Sequence, residues 1–140
     1  MNAASASFAD SVPSSRRRWP GWLLSGIPTL VLLWDATIKL LNLQAVVEAF
    51  QRLGFTHSPG LAIGIGLLEL VCLAVYAVPR TAPIGGVLLT GYLGGAVALH
   101  VRAGDPLGSH VLFPVYVGAL LWAGLFLRDR RVRNVLDAGP

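Results

Sequence analysis

Charged residues and cysteine are both scarce in this chain. Asp, Glu, Lys and Arg make up 13% of its 140 residues, whereas ordinary soluble domains contain about 25%. Cys72 is the single cysteine, which excludes an intrachain disulfide, a CxxC redox pair and a multi-cysteine metal site. The histidines and acidic residues also lack the spacing of metal ligands, so we expect no metal. A soluble domain and a multi-cysteine enzyme are therefore disfavoured.

Hydrophobic residues dominate instead, at 54% of the chain and a mean hydropathy of +0.65. They concentrate in four stretches, each about 17–22 residues long, the length that an α-helix needs to cross a hydrocarbon layer of roughly 30 Å. These stretches run over about 21–42, 60–78, 83–101 and 111–127. They predict an all-α membrane protein in which four transmembrane helices form a bundle within the lipid bilayer.

The segment between the first two stretches has a pattern of its own. Its apolar residues recur at helical spacing, and Gly54 follows the last of them: Leu43, Val46, Val47, Phe50 and Leu53. This pattern predicts a short amphipathic helix that lies on the membrane interface and ends at the glycine. An equally good interpretation is a cap that packs over the bundle.

The flanks of the four stretches predict domain limits and orientation. We assign a disordered tail to 1–18, the membrane domain to 19–128 and a basic tail to 129–140. Of the 11 Lys and Arg residues, eight lie at the end of the bundle that carries both termini and three lie at the other end. Because positively charged flanks stay in the cytoplasm, we expect a multi-pass inner-membrane protein with both termini cytoplasmic. Orientation also explains the net charge of +4, so we expect no nucleic-acid partner.

Small residues repeat at four-residue spacing in the second and third stretches: Gly60 and Gly64, Gly91 and Gly95, Gly94 and Ala98. Such faces let membrane helices approach each other closely. We expect them to pack within the chain, and the alternative is a homo-oligomer.

Ionisable and polar residues inside apolar stretches are costly and therefore mark candidate functional positions. With both termini inside, nearly all of them fall in the outer half of the bundle, and the candidate set is Asp35, Lys39, Glu69, Tyr92, His100 and Arg102. Asp35 and Lys39 are four residues apart with the acid first, the favourable order for a pair. Together the set predicts an outward-facing polar pocket that could hold a small molecule, a quinone head or protons.

A structural interpretation of the same residues stays open. Asp35–Lys39 and Glu69–His100 could be pairs that fix the register of the helices. For Glu69 we favour a functional role, because it has no counter-charge on its own helix.

Several short motifs, in this order and spacing, resemble the DoxX-like family of small four-helix membrane proteins over about residues 30–128. These motifs are Lys39-Leu40, Leu53-Gly54-Phe55, Gly64-x-Gly66-x-x-Glu69-Leu70, Pro79-Arg80, Gly95-Ala96-x3-His100 and Gly104-Asp105. Trp34-Asp35 departs from the small and aromatic residues expected there.

The resemblance and the polar residues together lead to three hypotheses about function. The first is an accessory membrane subunit of a quinone- or sulfur-linked redox system with a membrane or peripheral redox partner, in which Glu69 exchanges a proton and His100 assists. The second is a non-catalytic scaffold or assembly factor. The third is a small-solute or proton pathway, which four short helices could form only as an oligomer.

Overall fold

A computed structural model describes residues 18–56 and 59–137. Of the tail predicted at 1–18, residues 1–17 lie outside these ranges, and Arg18 begins the first helix. The described chain consists of helices, with no strand among these residues. The six α-helices are α1 Arg18–Leu40, α2 Gln44–Arg52, α3 Pro59–Ala77, α4 Ala82–Ala103, α5 Phe113–Arg128 and α6 Arg130–Asp137. A π-helical turn, Leu107–Val111, precedes α5 and lengthens the fourth span. Helix α6 lies in the segment that we assigned to the basic tail.

The four-span prediction is confirmed. Four helical segments are long and apolar enough to cross a membrane: Trp19–Leu40, Pro59–Ala77, Ala82–Ala103 and Leu107–Arg128. Many of their large apolar side chains point outward, and Leu30 and Ile84 are 66% and 60% exposed. Exposing these apolar side chains to water would be unfavourable, whereas exposing them to the hydrocarbon chains of lipids is not.

The short helix between the first two spans is also confirmed as α2. Its Val46 is buried, so one face of the helix packs on the protein. Gly54 adopts a left-handed backbone with φ of 84°, which ends the helix at little steric cost.

The spans pack in the ring order α1, α3, α4, α5, with α5 returning to α1. The core between them contains Leu32, Cys72, Tyr76, Leu89, Leu93, Leu121 and Leu125. Tyr76 is the largest fully buried side chain, and its hydroxyl oxygen lies 3.0 Å from Ser25 Oγ and 2.9 Å from the Leu121 carbonyl oxygen. This polar contact joins α1, α3 and α5 deep in the bundle.

The glycine prediction is wrong for the residues that we chose. A Cβ atom built on Gly60, Gly64, Gly91, Gly94 or Gly95 meets nothing within 4 Å. The close helix contacts occur instead at Gly21, Gly85 and Gly124, where a Cβ would overlap a neighbouring helix, and at Gly66, where a Cβ would lie 3.1 Å from the α1 backbone. Four-residue spacing identifies a small face, but it does not show whether that face points at another helix or at lipid.

Candidate functional site

Lys39, near the end of α1, is the centre of the polar contacts between the spans. Its Nζ contacts Asp35 Oδ2 one turn earlier, lies 3.1 Å from Glu69 Oε2 on α3, and donates to Tyr92 Oη on α4 at 3.1 Å. The Tyr92 hydroxyl in turn donates to Glu69 Oε2 at 2.7 Å. We call these four residues the Lys39 cluster. It connects three of the four spans through charge-assisted hydrogen bonds.

Local sequence explains how α1 and α3 come close enough for these contacts. Asp35 and Lys39 share a helix face because they are four residues apart. Gly66 lies one turn before Glu69, and a Cβ at Gly66 would be 3.1 Å from both the Ala36 carbonyl oxygen and Lys39 Cβ. The absence of a side chain there lets the α1 backbone approach α3, so the Lys39 side chain lies over Glu69.

The cluster forms a gradient of burial. The side chain of Glu69 is 0% exposed, that of Lys39 12% and that of Asp35 41%. Glu69 Oε1 is buried and has no hydrogen-bond partner within the described residues. The polar contacts therefore run without a break from the half-exposed Asp35 to a buried carboxyl group that still has one oxygen available.

His100 belongs to a different group, at the connection after α4. Its Nδ1 donates to Asp105 Oδ2 at 2.6 Å, and Arg52 Nε lies 4.0 Å from Asp105 Oδ1. The hydrogen bond from His100 is the main cause that lowers the pKa of Asp105. The Glu69–His100 pair that the sequence suggested does not form. The imidazole of His100 bonds to Asp105 instead, and Glu69 bonds to Lys39 and Tyr92.

The structure thus divides the six candidate residues. It brings Asp35, Lys39, Glu69 and Tyr92 together and leaves His100 with Asp105. Arg102 is exposed and makes no side-chain hydrogen bond or ion pair within the described part of the chain.

The sequence interpretation missed the part that Tyr92 plays. The sequence only places Tyr92 among the polar residues of the outer half, whereas its hydroxyl bridges Lys39 and Glu69. Its position at the middle of α4, at the depth that Glu69 has in α3, was the available signal.

These features define the class: a small multi-pass helical membrane protein with a buried charged cluster shared by three spans. The family model described as the DoxX-like family matches residues 23–124, and the chain belongs to that family. This confirms the resemblance seen in the motifs. Searches of curated proteins and of solved structures each gave no match to the chain.

Proposed function

We propose that this protein is an accessory membrane subunit of a quinone- or sulfur-linked redox system, and that its Lys39 cluster exchanges protons. The observation that carries the proposal is the continuous set of contacts from Asp35, half-exposed, through Lys39 to Glu69, fully buried. A buried carboxyl group joined to the surface by hydrogen-bonding groups is suited to receive and release protons.

The charge balance of the cluster supports the same role. It contains two carboxyl groups and one ammonium group, so its formal charge is −1 when all three are ionised. One added proton makes it neutral, which a low-dielectric interior favours over an uncompensated charge. Gain or loss of a single proton therefore switches the cluster between a neutral state and a state of charge −1. The contacts within the cluster stabilise both states.

The residues present fit a quinone head, although His100 does not take part. The hydroxyl hydrogen of Tyr92 and the three ammonium hydrogens of Lys39 are already used within the cluster. A quinone carbonyl oxygen would therefore accept from a protonated Glu69 at its unpartnered Oε1. A quinone accepts two electrons and two protons to become a quinol, and the electrons would come from a partner oxidoreductase. Glu69 would supply the two protons in turn at its carboxyl group, and it would recover each of them through Lys39 and Asp35.

A second candidate is a non-catalytic scaffold or assembly factor. It is supported by the fact that the cluster links α1, α3 and α4, which holds three spans in one register without any reaction. The two candidates differ in what they require of Glu69.

Two substitutions of Glu69 separate the candidates in a deletion strain. Glu69→Gln keeps the size and much of the hydrogen bonding of the neutral acid but cannot exchange a proton. The redox role predicts that the Glu69→Gln variant inserts normally yet fails to complement the deletion. It also predicts that quinone co-purifies with the wild-type protein from native membranes. Full complementation by Glu69→Gln, together with loss of protein in Glu69→Ala, would support the scaffold. Glu48→Gln makes the same change at an exposed carboxyl group on α2 and is the matched control.

We further propose that both termini lie in the cytoplasm and that the membrane is the inner membrane. Four spans put both ends of the membrane domain on one side, and eight of the 11 Lys and Arg residues lie there, as the positive-inside tendency requires. A cysteine at residue 51, in a background without Cys72, should react with an impermeant reagent only from the outside. Labelling only from the cytoplasm would reverse the orientation.

A further inference from the structure

A groove of about 300 Å³ lies at the end of the bundle opposite the Lys39 cluster, where α1 begins and α3 and α5 end. We call it the arginine groove, and its lining residues are Trp22, Pro79, Ala82, Arg128, Asp129, Arg130 and Arg131. The formal charge of this lining is +2. Neither the proposed redox role nor the family assignment accounts for it.

Arg128 lies over two aromatic rings at the groove. Its guanidinium carbon lies 4.8 Å from the centre of the Trp22 ring and 4.6 Å from that of Tyr76. Its Nη2 donates to the Tyr76 carbonyl oxygen at 3.3 Å, whereas its buried Nε has no partner within residues 18–56 and 59–137. The stacked position fixes the guanidinium plane and leaves donors for a further acceptor.

The single acid in the lining does not neutralise Arg128. Asp129 caps the start of α6 by accepting from the Arg131 backbone N–H at 2.8 Å, and it pairs with the Arg131 side chain at 3.3 Å. Arg131 also donates to the Pro79 carbonyl oxygen at 2.6 Å. Arg128 and Arg130 consequently have no counter-charge in the described part of the chain.

The position of the groove relative to the membrane indicates which anion it binds. All four spans begin or end at this level, and Trp22 is 51% exposed, as is typical of tryptophan at the headgroup region. Ala82 begins α4, so the positive end of that helix dipole also lies at the groove. We propose that the arginine groove binds the phosphate of an anionic phospholipid headgroup, with Arg128 and Arg130 as the donors.

Lipid binding to the full chain in neutral detergent tests this proposal, with native mass spectrometry to count bound lipids. Phosphatidylglycerol should bind more tightly than phosphatidylcholine, and inorganic phosphate should not displace it. Arg130→Gln and Arg128→Lys should each weaken phosphatidylglycerol binding by about tenfold, the usual size of one charge-assisted hydrogen bond. Arg52→Gln removes an exposed arginine at the other end of the bundle and should leave the affinity unchanged.

Three results would overturn the proposal. They are equal affinity for the two lipids, unchanged affinity in Arg130→Gln, or displacement of the lipid by inorganic phosphate, which would make the groove a site for free anions. Because Arg130 is exposed, Arg130→Gln decides the result even where Arg128→Lys does not fold. The arginine groove and the Lys39 cluster lie at opposite ends of α1, so either proposal can fail while the other stands.

Discussion

Replacing Lys39 with methionine should destabilise the protein far more than replacing Asp35 with asparagine. Lys39 contacts Asp35, Glu69 and Tyr92 and is only 12% exposed, so Lys39→Met leaves two carboxyl groups without a cation. Removing one partner of a buried ion pair costs about 3–5 kcal/mol. Asp35→Asn should cost less than Lys39→Met, because it leaves no carboxyl group without a cation. Asp35 is 41% exposed, and Lys39 keeps Glu69 as its partner.

The assay is reversible unfolding in mixed micelles with increasing SDS, compared among Lys39→Met, Asp35→Asn and the double variant Lys39→Met/Glu69→Gln. The double variant should recover part of the loss, because it no longer buries an uncompensated Glu69. Strictly additive losses, or a loss in Asp35→Asn equal to that in Lys39→Met, would refute the arrangement of the cluster.

Two further predictions concern packing and pH. Gly85→Ala should lower the unfolding free energy by about 1–3 kcal/mol, because its Cβ would overlap the Tyr76 backbone. Gly91→Ala should be neutral or stabilising, because a Cβ there has open space. Equal melting temperatures of the two variants would contradict this prediction. The hydrogen bond from His100 lowers the pKa of Asp105 below its ordinary value of 3.8, so the stabilisation is complete above that value and is lost as the pH falls through the lower folded pKa. Asp105→Asn should therefore flatten the acidic side of the plot of melting temperature against pH, and an unchanged plot would show that the pair does not stabilise the fold.

The sequence was sufficient for features that depend on one segment at a time. Hydropathy located the four spans, the spacing of apolar residues located α2, and Gly54 marked its end. The four-residue spacing of Asp35 and Lys39 predicted a contact that the structure contains. Each of these inferences uses only the geometry of a single helix.

Features that depend on the rotation of one helix against another could not be obtained in the same way. Lys39 reaches Glu69 because Gly66 brings α1 close, and no pattern within α1 specifies that approach. The sequence left a Glu69–His100 pair open, whereas the left-handed Gly104 turns the chain so that Asp105 contacts the imidazole of His100. Arg128 was counted as a flanking charge, and its contacts with two aromatic rings emerge only when α1, α3 and α5 are packed together.

Infrared difference spectroscopy of the reconstituted protein as a function of pH is the decisive test of our claim that Glu69 exchanges a proton within the Lys39 cluster. The wild-type protein should show a carboxyl C=O band that appears and disappears with pH and shifts in D2O. That band should be absent from Glu69→Gln and present in the control Glu48→Gln. Identical spectra for the wild-type protein and Glu69→Gln at every pH would contradict the claim and leave Glu69 as a residue that only joins helices.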